Sequence, residues 1–352
     1  MLKHLHVQNF TVFANAAFDF SPGLNVIVGT NGTGKSHVLK LAYAVARSSH
    51  EARRTFALQT KAALQKDVAE SLLGTFRPES LGRLARRPAS KSRTEVAVDF
   101  VAAPDATIHF SFSAGSKTEV SLEGNVTRKF EVSGPVIIPA KELMAMFPGL
   151  TALTERYELA LDLTYTDLAR RLGAPPLKEK ALEPVLPVLQ QLQQIMGGTL
   201  RQEGGRFYLH RAEGEKLEMD LVAEGIRKFA TLAQLLSNGG LHPGHTLFWD
   251  EPEANLNPAL LRELASLLML LARQGFQIIL ATHSLFLLKE FHILAHEQRA
   301  TVRYFGLSAQ PGEATQVSMH DNLELLPDIV ALDAELDQSD RFQTVLDQED
   351  AN

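Results

Sequence analysis

The chain contains no cysteine. Disulfides, zinc–thiolate centres and cysteine nucleophiles are therefore excluded. No apolar run reaches the roughly 20 residues that a membrane-spanning helix requires. The start, Met1–Phe10, alternates apolar and polar residues as a strand does and does not resemble a signal peptide. The expectation is a cytoplasmic protein with no membrane association. Positive charge is not in excess, with a net charge of −6. Any contact with nucleic acid must come from a local surface rather than from the whole molecule.

What is present is an ordinary globular balance. Of 352 residues, 45 % are hydrophobic and 22 % charged, enough for a sizeable core and two or three domains. One stretch organises the rest. Gly29-Thr30-Asn31-Gly32-Thr33-Gly34-Lys35-Ser36 is a complete G-x-x-x-x-G-K-[ST] phosphate loop. Leu24–Val28 ahead of it reads as a buried strand, and Ser36–Val45 behind it, with His37 at its start, reads as a helix. Glycines let successive backbone N–H groups turn inward around phosphate oxygens, and the helix N-terminus adds its positive end. Lys35 supplies a point charge for the β- and γ-phosphates. The Ser36 hydroxyl is a hard oxygen ligand suited to Mg²⁺. Gly29 to Ser36, with His37, form the expected nucleotide-binding segment, with ATP and Mg²⁺ as its cofactors.

Two short strands, 2–10 and 16–20, precede the phosphate-loop strand. Residues 47–94 lose strand character and read as a basic helical insertion. It carries Arg53, Arg54, Lys61, Lys66, Arg77, Arg83, Arg86, Arg87, Lys91 and Arg93 against Glu51, Asp67, Glu70 and Glu79. The segment reads either as a solvated face or as a local DNA- or partner-facing surface. Its only aromatics are Phe56 and Phe76, so base stacking is not favoured. From residue 95 short strands return, at 95–101, 107–112, 118–122 and 129–132, as an antiparallel β subdomain. Residues 135–139 read as a buried strand. Residues 141–204 read as a helical arm or lid broken by prolines.

A hairpin over 206–210 and 216–221 delivers the chain to a helix over 224–236. His245–Glu251 is an apolar strand ending in two carboxylates, Asp250 and Glu251. Asn257 followed by Pro258 reads as the N-cap and first residue of the next helix. Residues 276–282 form another buried strand, with His283 at its carboxyl end. Carboxylates at such a strand end, beside a phosphate loop, can hold Mg²⁺ (Ser36 with Asp250) and orient the attacking water (Glu251). A last strand covers 301–307, and an acidic tail runs over 319–352. The expected core comprises 1–46, 95–140 and 205–318.

These pieces resemble ABC-type AAA ATPases of the SMC, RecF and OLD-nuclease group. The opening LKHLHVQNFTVFANAAFDFSPGLNVIVGTNGTGKSHVLKLAYA resembles that group's first strands and Walker A. LFWDEPEANLNP resembles its Walker B and D-loop, and IILATHS its switch-histidine segment. The resemblance implies an α/β P-loop NTPase: an ABC-type ATPase head with a mixed sheet, an antiparallel β subdomain and helical insertions. It also implies two subunits closing on two ATP molecules, that is, a homodimer. Glu251 would position the lytic water and His283 would steady the γ-phosphate side, making these the catalytic residues. The trans signature falls on Val222–Lys228, with Ala223, Glu224, Gly225, Arg227 and Lys228 as its contacts. Ala223 stands where the family has a serine, so Lys228, Arg227 or backbone N–H groups would have to compensate. Asn255 and Asn257 occupy the D-loop. The glutamine loop has no glutamine, and Lys141 and Glu142 stand in its place.

The implied activity is slow ATP hydrolysis driving dimer closure. That closure would act on DNA through residues 47–94 or gate a separately encoded effector, a nuclease or toxin, in DNA repair or anti-phage defence. A non-DNA scaffold or sensor is the alternative, and a transporter-type ATPase subunit is a third reading. Only a few dozen residues follow the last expected strand, so no fused nuclease domain is expected within these residues.

Overall fold

The computed structural model describes residues 1–54, 60–86, 93–101, 103–124, 134–147, 149–150, 160–178, 182–326, 337–345 and 347. The expected strand over 129–132 lies outside the described residues.

The centre is a six-stranded sheet in the order β14-β13-β3-β12-β11-β7. Its strands are β3 (Leu24–Gly29), β7 (Val136–Ile138), β11 (Thr246–Asp250), β12 (Gln277–Thr282), β13 (Val302–Ser308) and β14 (Gln316–His320). All pairings are parallel except that of β13 with β14. β3 and β12 are buried along their whole length, as expected of parallel strands covered on both faces. Alternate side chains then feed two separate cores. Val26, Val28, Leu247, Trp249, Ile278 and Leu280 face one, while Ile27, Phe248, Ile279 and Ala281 face the other.

The second core lies under a five-stranded antiparallel sheet, ordered β2-β1-β4-β5-β6. It comprises β1 (Leu2–Phe10), β2 (Phe13–Asp19), β4 (Thr94–Phe100), β5 (Ala103–Phe112) and β6 (Ser121–Glu123). A buried carboxamide ties this sheet to the central one. Gln277 accepts from Leu2 N at 2.8 Å and from Thr246 Oγ1 at 2.7 Å, and donates to Leu2 O at 2.7 Å and Ser21 O at 2.9 Å. All its hydrogen-bonding capacity is spent, as a buried polar group requires.

Helices α1 (Lys35–Arg54) and α2 (Lys61–Phe76) pack in this second core. The expected boundary at residue 47 therefore falls inside α1. Leu64, Val68, Ala69 and Leu72 of α2 are buried, so its described part is core and not an appended insertion. On the other face of the central sheet lie α3 (Leu163–Leu172), α4 (Leu186–Met196), α5 (Glu224–Ser237), α6 (Pro258–Arg273) and α7 (Leu285–Gln298). Leu168, Leu172, Val188 and Leu192 are buried there. The described parts of 141–204 thus pack on the core and do not project as an arm. A third sheet, β10-β9-β8, carries β8 (Thr199–Glu203), β9 (Arg206–His210) and β10 (Lys216–Glu218). Its strand β8 lies within the span expected to be a helical arm, 141–204. The α6 start matches expectation: Asn257 caps it by accepting from Leu260 N at 2.9 Å, with Pro258 first. Two elements are new, α7 and β14. The latter carries the sheet to His320, two residues into the acidic tail expected over 319–352, and Asp321 just after it pairs with Arg303 at 2.7 Å.

Leu72→Ala tests the place of α2. Leu72 is fully buried, so we expect a loss of about 2–5 kcal/mol in urea unfolding. A midpoint equal to wild type would mark α2 as an appendage.

Candidate nucleotide-binding site

The phosphate loop leaves β3 and enters α1. Gly32 and Gly34 have φ of 85° and 94°, which an L side chain adopts only with strain. A Cβ on Gly34 would lie 2.6 Å from Val12 and 2.8 Å from Phe13, in the β1–β2 turn. A Cβ on Gly29 would lie 2.5 Å from Leu307 O. The loop is closed by Thr33 Oγ1 donating to Thr30 O at 2.8 Å. Lys35 Nζ rests on the loop's own carbonyls, donating to Gly29 O at 2.7 Å and Thr30 O at 3.1 Å. Burial lowers its pKa, opposed by the charges of Glu251, Asp250 and Glu253. A buried ammonium without a full countercharge is suited to phosphate. The His37 ring reaches α2. It packs edge-on against Phe76 of α2, and burial lowers its pKa.

β11 ends beside the loop, one strand away across β12. Ser36 Oγ donates to Asp250 Oδ1 at 3.0 Å. Burial raises the Asp250 pKa, and Glu251 adds to it, while the Ser36 hydrogen bond and the charges of Lys40 and Lys35 oppose. A hydroxyl and a destabilised carboxylate in contact form a donor set suited to a hard divalent cation. The residues therefore fit Mg²⁺ with a nucleotide triphosphate.

Glu251 has φ of 47° and opens a turn. Its N–H donates to Ala281 O at 2.9 Å. His283 Nδ1 lies 3.7 Å from Glu251 Oε1 and 3.4 Å from Glu253 Oε1. The chain thus brings Gly29–Ser36, Asp250, Glu251 and His283 to one edge, as expected. Glu253 was missed. In the sequence it is one more carboxylate in a polar turn, where no periodicity marks which side chains turn inward.

The helix α5 starts beside this turn. Gly225 is there because a Cβ would meet Leu256 at 2.8 Å and Asn255 O at 2.9 Å. Ala223 makes no side-chain cap. Asn255 Nδ2 donates to Glu224 Oε1 at 2.8 Å. The two cations offered as substitutes for a signature serine are committed within the chain. Lys228 is buried, and its Nζ donates to Glu251 O at 3.2 Å and Pro252 O at 3.3 Å. Arg227 Nε pairs with Glu142 Oε2 at 2.7 Å and its Nη1 donates to Val222 O at 2.9 Å. Glu142 also accepts from Met144 N. It is therefore spent on α5, and Lys141 beside it is exposed.

This sheet order, with the phosphate loop on β3 and the carboxylates one strand removed on β11, defines an ABC-type P-loop ATPase fold. Comparison agrees. The family model described as "AAA domain, putative AbiEii toxin, Type IV TA system" matches residues 155–289, and one described as "AAA domain" matches residues 4–70. No curated protein sequence matches. Among solved structures, an SmcHead bound to the C-winged helix domain of ScpA is similar at 16 % identity and a TM-score of 0.56. That alignment covers 92 % of this chain and 98 % of the other. An Smc head domain with an extended coiled coil, bound to the C-terminal domain of ScpA derived from Pyrococcus furiosus, is similar at 13 % identity and a TM-score of 0.53, covering 97 % and 99 %. By fold the chain is similar to SMC-type ATPase heads, and AAA-domain family models match two parts of it. Among the described residues no helix is long and apolar enough to cross a membrane.

The raised Asp250 pKa makes a prediction with a definite sign. The folded chain holds that proton more tightly than the unfolded chain, so ionisation costs stability above the ordinary carboxylate range. Asp250→Asn keeps an acceptor for Ser36 and should raise the melting temperature at neutral pH. The gain should vanish in acid, where both states are protonated. Calorimetry at the two pH values checks this; a lower melting temperature at neutral pH would sink it.

Proposed function

We propose that the chain binds Mg-ATP and hydrolyses it slowly in a closed homodimer. The observation that carries this reading is the convergence of Lys35, Ser36, Asp250, Glu251 and His283 at the carboxyl edge of one parallel sheet, where such folds bind ligands. When bound, Mg²⁺ would supply neutralisation of phosphate charge. Ser36 and Asp250 would hold it. Lys35 leaves the loop carbonyls for phosphate oxygens. Glu251 is half-exposed and takes the lytic water, and His283, at the end of β12, faces the γ-phosphate side. The backbone N–H groups at the α5 start, with Gly225, are the contacts offered to the partner's nucleotide, since Lys228 and Arg227 are spent. Positioning and electrostatics supply most of the rate.

Closure gates an effector protein encoded separately. The type IV toxin–antitoxin description of the matched family motivates an effector in defence, and the ScpA-bound heads are heads that carry a partner protein. A direct action on DNA is the second reading, and the basic segment favours it less than its composition suggests. Arg83 pairs with Glu79 at 2.6 Å and Lys66 with Glu70 at 3.7 Å. Arg77 donates to Leu161 O at 3.0 Å, Arg86 to Val12 O at 3.2 Å and Arg93 to Ser111 Oγ at 3.2 Å. The side chains of Arg53, Arg54, Arg87 and Lys91 lie outside the described residues.

Two measurements test the proposal. Wild type should turn over ATP only with Mg²⁺. Glu251→Gln should keep ATP binding, accumulate as a dimer and lose about a hundredfold or more in kcat. Wild-type turnover in that variant would remove Glu251 from the chemistry. Turnover measured with and without duplex DNA at two salt concentrations separates the readings. Indifference to DNA supports effector gating, and salt-sensitive stimulation supports DNA.

A further inference from the structure

Glu253 is a buried carboxylate with an unusual set of contacts. Its side chain is 7 % exposed. One oxygen, Oε1, accepts from Thr282 Oγ1 at 2.6 Å and from His283 N at 3.0 Å, and lies 3.4 Å from His283 Nδ1. The other, Oε2, is buried with no hydrogen-bond partner among the described residues. A fold that needed only an acceptor for Thr282 would be served by a neutral amide or a carbonyl. Burying an acidic side chain and leaving one oxygen unmet costs free energy that a static link does not repay. The charge is turned toward one imidazole.

The neighbouring carboxylate cannot hold that ring as well. Glu251 Oε1 is further from Nδ1, at 3.7 Å, and its side chain is 35 % exposed. Glu253 is pinned by two donors from the very strand end that carries the histidine. His283 itself is 49 % exposed, and the carboxylates beside it lie on its Nδ1 side.

We infer that Glu253 is the positioning carboxylate of His283: it holds the neutral ring in the Nδ1–H tautomer, which leaves Nε2 to face the nucleotide. A carboxylate behind a histidine fixes both tautomer and ring orientation. The inference rests on the hydrolytic reading for its consequence, but not for its geometry. It also divides the work between the two carboxylates. With Glu253 holding the histidine, Glu251 is free to turn to water.

The test reads the ring directly. Imidazole ¹⁵N shifts of His283, assigned by their loss in His283→Gln, are recorded well above the ordinary imidazole pKa of about 6.5. Wild type should show Nδ1–H. Glu253→Gln should lose that preference, and kcat for ATP should fall about 10- to 100-fold with KM little changed, because the phosphate loop is untouched. An unchanged tautomer in Glu253→Gln overturns the inference, whatever happens to turnover; so does a wild-type Nε2–H ring. A lost tautomer with unchanged kcat overturns its catalytic consequence. Should Glu253→Gln fail to fold, Thr282→Val removes the hydroxyl that pins Oε1 and should shift the tautomer in the same direction. If wild type shows no ATP turnover at all, the hydrolytic reading fails while the ¹⁵N result still decides the positioning role.

Discussion

The site depends on a span that no pair of neighbouring strands provides. β3 carries the phosphate loop and β11 carries the carboxylates, yet β12 lies between them. Strands in a sheet are spaced about 4.8 Å apart, so the two strand ends stand roughly 10 Å apart. The gap is closed because the loop turns back over the sheet edge and starts α1 above it. Ser36 at that start then reaches Asp250 at 3.0 Å. The central strand is not idle: its last residue delivers His283 into the space between. One parallel ladder therefore fixes three chemical groups at once. The alternation along it decides which face they serve, since Trp249 goes to one core and Asp250 turns to the side of Phe248 and α1.

Around this edge the polar groups are tied to the backbone of one turn. Glu251 sits at φ 47° ahead of Pro252, a conformation that a non-glycine residue keeps only when its surroundings hold it. Three bonds do so. Its N–H reaches Ala281 O, its carbonyl accepts from Ala254 N, and the same carbonyl takes Lys228 Nζ. Lys228 and Arg227 belong to α5, and Arg227 in turn holds Glu142 beside β7. The start of α5, the turn after β11 and the segment after β7 thus form one connected unit within the chain. Burial lowers the Lys228 pKa, while Glu253, Glu224, Glu251 and Glu142 pull the other way.

Much of this was legible from residue types alone. The phosphate loop, the β11 carboxylates and the α6 cap each follow from a local rule with a short reach, and the structure places them at the positions expected. The strands were legible where burial on both faces makes an unbroken apolar run, as in β3 and β12. What escaped was decided by tertiary contact. Lys228 is expected at the trans signature, in place of the missing serine, but Lys and Arg stems bury readily when carbonyls await the head, and its Nζ reaches Glu251 O and Pro252 O instead. α2 reads as part of a basic, polar insertion because basic residues outnumber acidic ones over 47–94, yet its buried stripe of Leu64, Val68 and Leu72 decides its place. Glu253 and Glu142 sit in turns, where neither a helical nor a strand period says which side chain turns inward.

The remaining consequence concerns the α5 N-terminus. A helix start attracts phosphate through its free N–H groups and its dipole. Here the first turn already carries Glu224, whose carboxylate satisfies part of that field within the chain. Two like charges at close range oppose one another, so a γ-phosphate arriving from a partner subunit meets repulsion unless the carboxylate is drawn aside. Asn255 does this in part, holding Glu224 Oε1 at 2.8 Å from the D-loop side. Gly225 lets that loop approach within backbone contact of the helix. In the proposed dimer, the attraction offered to a partner's nucleotide would depend on this hydrogen bond within the chain. Asn255 follows Glu251 by four residues in the same turn. In the proposed homodimer, the loop that carries Glu251 would also shape the α5 start offered to the partner's nucleotide.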